Sequence, residues 1–273
     1  MNFTEKLTNT ARENKSLVCI GLDPDPKLMP EKTGVFEFNK AIIDATADLV
    51  CAYKPNFAFY EALGKAGLDA LKRTADYLPE HIPAIADAKR GDIGNTAKAY
   101  AEAIFSYFNF DATTVNPYLG FDSVEPFIQY REKGIFILCR TSNAGAADFQ
   151  SLQSEVGNEH RPLFEIVALK ASQWNTHGNI GLVVGATYPE ELRVIRQNHP
   201  DMPLLIPGIG AQGGDLALTV RYGVDTQGEK AIINSSRQIL YASRGKDFAE
   251  AARQAALTLR DQINHHLSTP TRQ

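Results

Sequence analysis

Three charged residues, Asp87, Lys89 and Asp92, lie close together in the stretch Ala86–Ile93. The apolar run Ile82–Ile85 precedes them and predicts a buried strand. Because side chains on a strand alternate between its two faces, Asp87 and Lys89 are expected to share a face. Charges at the end of a buried strand are costly to desolvate unless they pair. The stretch is therefore either a salt-bridged strand end or a charge array directed at a substrate.

Further polar residues lie at or near the ends of other apolar runs. They are Asp23, Lys54, Ser142, Gln212 and Arg237. Taken singly, Asp23 could be a helix or turn cap, and Ser142 could be an ordinary turn residue. Lys54 lies within an apolar strand and needs a carboxylate, for which Asp87 is the obvious partner. Convergence of so many polar groups on one place is typical of a binding site rather than of structural pairing.

A glycine-rich turn, Gly208–Gly214, follows the seventh predicted strand, and Arg237 follows the eighth. The turn matches G-x-G-x-x-G, but a dinucleotide-binding fold would carry that pattern in its first strand–helix unit. Glycines let backbone N–H groups approach an anion, and a following helix favours negative charge at its N-terminus. Arginine can bind phosphate through two parallel hydrogen bonds. The pattern predicts a phosphorylated substrate.

The elements that must position these residues alternate regularly along the chain. The predicted strands cover residues 17–23, 51–57, 86–93, 112–118, 134–142, 180–187, 204–207 and 230–237. Eight strands alternating with eight helices predict an α/β fold of the (β/α)₈ TIM-barrel type. A doubly wound open sheet is the alternative, but eight regular units favour closure. In such a barrel the active site lies at the carboxyl ends of the strands.

The whole chain, residues 1–273, is predicted to be a single barrel domain. Residues 1–16 are expected to form a short polar helix or arm, and the tail after about residue 267 is expected to fray. Residues 143–159 are polar without a clear period and predict a long loop. Loops of that length in compact domains are often functional.

Composition narrows the functional classes. The chain is 44% hydrophobic and 22% charged with a net charge of −4, and no basic stripe suggests nucleic-acid binding. No apolar run approaches membrane-spanning length, and the polar start lacks the apolar core of a signal peptide. Cys19, Cys51 and Cys139 are widely spaced and predict buried thiols in a cytoplasmic protein. The histidines, cysteines and acids show no metal-ligand spacing, so we expect no metal site.

These residues resemble the orotidine 5′-phosphate decarboxylase family over essentially the whole chain. Asp87–Ile93 fits that family's Asp-x-Lys-x-x-Asp-Ile signature, and Pro207–Gly214 fits its phosphate loop, with Arg237 following. The segments 21–26, 53–56 and 139–143 resemble the longer, bacterial-type subgroup. The resemblance implies decarboxylation of orotidine 5′-phosphate to uridine 5′-phosphate in pyrimidine biosynthesis, without a metal or organic cofactor.

The resemblance also implies residue roles. Lys54, Asp87, Lys89 and Asp92 would form an alternating lysine–aspartate network, in which Asp92, Ile93 and Thr96 reach across a homodimer interface into the partner's site. The remaining roles concern substrate binding. Asp23 and Lys54 would hold the ribose hydroxyls, and Ser142 and Gln212 would contact the pyrimidine. Gln212 and Arg237 would bind the phosphate, and Gly213 would also contact the substrate.

The chemistry fits these roles, because loss of CO₂ from C6 leaves a carbanion that the pyrimidine ring delocalises poorly. The Lys89 ammonium could stabilise that charge and then donate the proton. Two alternatives remain. One is a Mg²⁺-dependent sugar-phosphate lyase or decarboxylase on the same barrel, which would carry an acid near the position of Lys54. The other is a barrel that binds a nucleotide without catalysis.

Overall fold

The strands of the protein form one large parallel sheet and one small hairpin. The computed structural model describes residues 1–157, 159–209 and 213–268. Within these ranges the ten strands are β1 (Val18–Ile20), β2 (Ala52–Tyr53), β3 (Ile85–Arg90), β4 (Ala112–Val115), β5 (Gly134–Arg140), β6 (Gln153–Val156), β7 (Glu159–Pro162), β8 (Ile180–Val184), β9 (Leu204–Ile206) and β10 (Ala231–Ser235).

The large sheet closes into a barrel. Its eight strands are all parallel and follow the order β2-β1-β10-β9-β8-β5-β4-β3. Isolated parallel bridges from Tyr53 to Ala84 and from Asn56 to Asp87 join the two outer strands of that order. The predicted (β/α)₈ TIM barrel is therefore confirmed.

Helices connect the strands and, except for α1 at the start of the chain, cover the outside of the barrel. They are α1 (Phe3–Glu13), α2 (Val35–Thr46), α3 (Phe57–Glu61), α4 (Gly64–Tyr77), α5 (Gly94–Glu102), α6 (Glu125–Ile128), α7 (Leu163–Trp174), α8 (Pro189–Asn198), α9 (Leu216–Gly223), α10 (Arg237–Leu240) and α11 (Phe248–Ser268). A π-helical turn, Ala103–Tyr107, extends α5. Among the described residues no helix is long and apolar enough to cross a membrane.

One layer of apolar side chains fills the barrel, and α1 closes its amino-terminal end. The layer takes one residue from each strand: Cys19, Ala52, Ile85, Ala112, Phe136, Val183, Leu205 and Ile232. Phe3 and Leu7 of α1 belong to the same cluster, and the Phe3 ring meets Phe136 edge to face at 5.6 Å. The predicted polar N-terminal helix thus has a buried apolar face. Because side chains alternate along each strand, the residues two positions further on face the opposite, carboxyl-terminal mouth.

Two expectations about connections need correction. Residues 143–159 are not a plain loop: a 3₁₀ turn, Ala144–Asp148, is followed by an antiparallel hairpin of β6 and β7. Its strands are short, exposed and polar, so periodicity gave no signal for them. Second, β10 ends at Ser235, and Arg237 begins α10 instead of ending the strand. Helix α11 continues to Ser268, and the rest of the predicted frayed tail lies outside the described residues.

The three cysteines, Cys19, Cys51 and Cys139, are free and buried, as the sequence predicts. Burial raises the pKa of the Cys19 thiol to about 12 and raises that of Cys139 as well. These thiols therefore stay protonated near neutral pH. Cys19 and Cys51 belong to the apolar cluster inside the barrel, whereas Cys139 packs between the barrel and α7, where its thiol donates to the Phe164 carbonyl at 3.2 Å.

Candidate active site

The carboxyl ends of the barrel strands surround a cavity of about 490 Å³. That volume lies in the range of small-molecule sites, about 300–1,000 Å³. The predicted site residues that line it are Asp23, Lys54, Asp87, Lys89, Ser142 and Arg237. Six residues separated widely in sequence are thus brought to one mouth of the barrel.

Asp87 is the centre of a charged cluster in this cavity. Its Oδ2 lies 2.9 Å from Lys54 Nζ, and its Oδ1 lies 2.6 Å from Lys89 Nζ. The Thr114 hydroxyl also donates to Oδ1, at 3.1 Å. The side chains of Lys54 and Asp87 are only 5% and 10% exposed, whereas that of Lys89 is 49% exposed. One ammonium is therefore buried below the carboxylate, and the other reaches the open part of the cavity.

Mutual attraction keeps this cluster ionised. Burial alone would raise the pKa of Asp87, but the charges of Lys54 and Lys89 outweigh burial and hold it well below its usual range. Burial alone would lower the pKa of Lys54, but Asp87 and Asp23 outweigh burial and hold it above its usual range. Both groups are charged near neutral pH, so the cavity offers fixed charges of both signs.

An irregularity in β3 places Lys89. Pairing with β4 advances four residues on β3, from Ala86 to Arg90, against two residues on β4. Within this bulge Lys89 has the left-handed backbone angle φ = 46°, which is unfavourable for a residue with a Cβ. The Thr114 hydroxyl accepts the Lys89 N–H at 2.9 Å. Strand alternation predicts the shared face of Asp87 and Lys89, but it does not predict the bulge.

Two side-chain oxygens in the cavity wall lack partners. Asp23 Oδ1 and Asn234 Oδ1 are buried and have no hydrogen-bond partner among the described residues. An unpaired buried acceptor carries a desolvation cost that a ligand hydroxyl or N–H can remove. Both atoms are therefore suited to accept hydrogen bonds from a bound molecule.

Ser142 lies on the turn after β5, which polar contacts secure from outside the cavity. The Thr187 hydroxyl donates to the Ser142 carbonyl at 3.3 Å. Arg140, buried just before this turn, pairs with Glu191 and stacks on the Tyr188 ring, with its guanidinium carbon 3.8 Å from the ring centroid. Ser142 is thus presented to the cavity by a buried ionic and aromatic support.

The predicted phosphate loop follows β9, and Arg237 lies across from its start. Gly208 and Gly213 have φ angles of 104° and 78°, which residues with a Cβ rarely adopt. Gly208 lines the cavity together with the exposed Arg237, whereas Gly213 is not among the described lining residues. Gln212, a predicted binding residue, lies outside the described residues.

Three further predicted residues do not line the cavity of their own chain. Asp92, Ile93 and Thr96 follow β3 and lie outside the described cavity lining. Ile93 is 53% exposed, Thr96 is also exposed, and the Asp92 carboxylate accepts a local bond from the Ile93 N–H. Their prediction as residues that act in a partner's site stays a prediction.

Sequence reasoning missed several polar lining residues, among them Asn56, Thr114 and Asn234. Thr114 and Asn234 lie two positions after Ala112 and Ile232, which belong to the apolar layer. The period of two along the strands could therefore have placed them at the mouth. Asn56 caps α3 by accepting the Ala58 N–H at 3.1 Å, a common role that conceals its position.

Among the described residues, no group of three or more histidine, cysteine, aspartate or glutamate side chains is arranged to hold a metal ion. Within the charged cluster, the ammonium of Lys54 pairs with the carboxylate of Asp87. A cation at this position opposes the binding of a second positive ion next to Asp87.

Comparison with known proteins follows this geometry. Residues 16–255 match the sequence profile described as "Orotidine 5′-phosphate decarboxylase / HUMPS family". The chain is 58% identical over 266 residues to orotidine 5′-phosphate decarboxylase of Dehalococcoides mccartyi (strain CBDB1), covering 97% of this chain and 98% of that protein. It is 53% identical to the enzyme of that name from Herpetosiphon aurantiacus, over 96% of this chain and 99% of that one. The solved structure of Leishmania donovani OMP decarboxylase superposes with a TM-score of 0.86 at 41% identity, covering 98% of this chain and all (100%) of that chain.

Proposed function

The chain belongs to the orotidine 5′-phosphate decarboxylase family, and we propose that its cavity converts orotidine 5′-phosphate to uridine 5′-phosphate and CO₂, a step of pyrimidine biosynthesis. The observation that supports this most directly is the charged cluster Lys54–Asp87–Lys89 at the mouth of the barrel. It places a half-exposed ammonium in a cavity that Gly208 and Arg237, the groups predicted to bind phosphate, also line. Decarboxylation at a carbon that cannot delocalise charge needs such a group.

Lys89 supplies the chemistry in this proposal. The bond between C6 and the carboxylate breaks, CO₂ leaves, and the electron pair remains on C6. The Lys89 ammonium stabilises that pair as it develops and then transfers a proton from Nζ to C6. Neutral Lys89 regains a proton from solvent, which its 49% exposed side chain can reach.

Asp87 and Lys54 prepare Lys89 for this step. Asp87 is kept ionised by its two lysine neighbours, and its carboxylate holds the Lys89 ammonium in an ion pair at 2.6 Å. Lys54 balances the carboxylate from below, so that Lys89 is not the only partner of a buried anion. Preorganised charges of this kind need no rearrangement during the reaction.

The rest of the cavity would bind the parts of the substrate that lie away from the reacting carbon. Asp23, with its unpaired Oδ1, and Lys54 would bind the ribose hydroxyls. Ser142 and Gln212 would bind the pyrimidine. The phosphate would bind at Arg237 and the glycine-rich loop, including Gln212 and Gly213. Binding energy from this remote group can be used at the reacting centre.

A second copy of the chain would complete each site. Asp92, Ile93 and Thr96 lie outside the described lining of their own cavity, which is consistent with a homodimer in which they serve the partner's site.

Lys89→Met and Asp92→Ala are each expected to be nearly inactive. After unfolding and refolding the two together, on the order of a quarter of the sites combine an intact Lys89 with an intact Asp92. Recovery of about a quarter of the wild-type activity supports the shared site. If mixed dimers of verified composition stay inactive, the shared site is contradicted.

The first test of the activity is the ultraviolet absorbance change of orotidine 5′-phosphate with purified protein, with and without EDTA. We expect turnover that EDTA does not change. The Mg²⁺-dependent sugar-phosphate lyase is not favoured, because Lys54 occupies the place where that reaction needs an acid. Turnover that requires Mg²⁺ would contradict our proposal, and nucleotide binding without turnover would support a non-catalytic barrel.

A cytoplasmic location fits the free buried thiols and is part of the same proposal.

A further inference from the structure

Two tyrosine hydroxyls hold the backbone carbonyls immediately before and after the Cα atom of Asp23. Tyr60 donates to the Leu22 carbonyl at 3.0 Å, and Tyr241 donates to the Asp23 carbonyl at 2.9 Å. The Tyr241 hydroxyl also accepts the Asp25 N–H at 2.6 Å. The peptide that carries Asp23 is thus fixed by side chains that do not themselves line the described cavity.

Tyr241 is itself held rigidly. Its ring stacks on Phe38, with 6.0 Å between centroids and 16° between planes, and Phe38 stacks on Phe248 at 5.2 Å. Phe38 is fully buried. Burial raises the pKa of Tyr241 to about 12, so its hydroxyl keeps the proton that it donates.

The Asp23 carboxylate, in contrast, receives little support of its own. Its Oδ1 is buried at the cavity wall without a hydrogen-bond partner among the described residues. The direction of this oxygen therefore depends on the backbone that carries it. A free acceptor on a fixed backbone is the arrangement expected for a group that is held ready for a ligand.

We propose that Tyr241 is a positioning residue that aims the Asp23 carboxylate at a ribose hydroxyl of the substrate. This inference rests on the proposed function, because it needs a ribose-containing ligand in the cavity. Tyr241 does not touch the substrate; it acts through the backbone of Asp23 and Asp25.

The same tyrosine joins the ribose side of the cavity to its phosphate side. Tyr241 directly follows α10, whose first residue, Arg237, lines the cavity. The two segments are in close contact, since a Cβ on Gly21 would lie 1.9 Å from Ser236 Oγ and 3.3 Å from Asp23 Oδ2. A shift of α10 would therefore reach Asp23 through Tyr241.

The test compares ligands that differ by one hydroxyl. Dissociation constants of uridine 5′-phosphate and of its 2′-deoxy and 3′-deoxy analogues are measured by calorimetry for the wild type and for Tyr241→Phe. Loss of one well-placed hydrogen bond is expected to weaken uridine 5′-phosphate binding about tenfold. The loss should fall below about twofold for the analogue that lacks the hydroxyl bound by Asp23. Tyr77→Phe is the matched control, since the Tyr77 hydroxyl donates to Asp44 on the outer surface at 2.6 Å, and it should leave all three constants unchanged.

Equal weakening for all three ligands would show a merely structural role and would overturn the proposal, as would unchanged binding of uridine 5′-phosphate. Tyr60→Phe is a second variant, because its hydroxyl holds the neighbouring carbonyl, and the same selective loss is expected. Wild-type turnover of orotidine 5′-phosphate is measured in parallel. Turnover without the selective loss overturns only the role of Tyr241, whereas absence of both turnover and nucleotide binding overturns the proposed function and this inference together.

Discussion

Replacement of Lys89 by methionine separates the charge of this residue from its bulk. The side chain of Lys89 is half exposed, and its polar contact is the ion pair with Asp87. Methionine keeps most of the volume and leaves the left-handed backbone unchanged. Because a half-exposed ion pair contributes about 1 kcal/mol or less, the fold is expected to survive. Asp87 keeps its bond to Lys54 at 2.9 Å.

The expected loss of activity has two parts. A positive charge about 4 Å from a developing carbanion contributes about 4 kcal/mol at an effective dielectric constant near 20. Proton donation by a positioned acid contributes about 10²- to 10⁴-fold, or about 3–5 kcal/mol. Together these amount to about 7–9 kcal/mol, which corresponds to about 10⁵- to 10⁷-fold in kcat/KM.

The assay follows orotidine 5′-phosphate by absorbance at high enzyme concentration, beside binding of uridine 5′-phosphate and thermal unfolding. Lys65→Met is the matched control, because Lys65 pairs with Asp69 on the exposed surface of α4; its activity should equal that of the wild type. A loss of less than about 10²-fold in a folded Lys89→Met protein that binds nucleotide would refute the reasoning, since neither part of the effect would then depend on Lys89.

Three other outcomes follow from the contacts described. Arg237→Ala should lower kcat/KM for orotidine 5′-phosphate by about 10²-fold and leave the slow reaction of orotidine, which has no phosphate, unchanged; equal losses on both substrates would contradict a phosphate contact. Because the pKa of Asp87 is depressed, its ion pairs add stability above about pH 4 that is lost as the pH falls. Urea unfolding should therefore show the deficit of Asp87→Asn shrinking from pH 6 to pH 2, and a constant deficit would disprove this. Arg196 is buried and donates to the carbonyls of Gly223, Met202 and Lys230, so Arg196→Met should lower the free energy of unfolding by about 3 kcal/mol while the folded protein keeps its kcat; a loss below about 1 kcal/mol would argue against that role.

The barrel could be predicted from the sequence because most of its strands carry a short apolar run. Parallel strands buried on both faces, such as Ile180–Val184, show this pattern most clearly. The hairpin of β6 and β7 was missed because exposed strands have no apolar face to give a period. The apolar face of α1 was missed because Phe3 and Leu7 are only two residues in a polar segment, and their burial depends on the open end of the barrel.

The charged cluster could be predicted because residue type and strand alternation both limit where charges can be placed. Lys54 needed a carboxylate, and the neighbouring strand offered Asp87. The positioning contacts could not be predicted in the same way. Tyr241 meets the Asp23 segment across 218 residues of sequence, through a hydroxyl and a carbonyl, and no local pattern encodes that pairing. Residues that support a site from behind are set by tertiary packing alone.

The left-handed backbone of Lys89 has a consequence for directed evolution. At φ = 46° the backbone conformation costs less energy for glycine or asparagine than for lysine. A library selected only for heat resistance should therefore lose lysine at this position, whereas one selected for growth without external pyrimidines should keep it. Sequencing both libraries would show at which residue the demands of stability and of catalysis diverge.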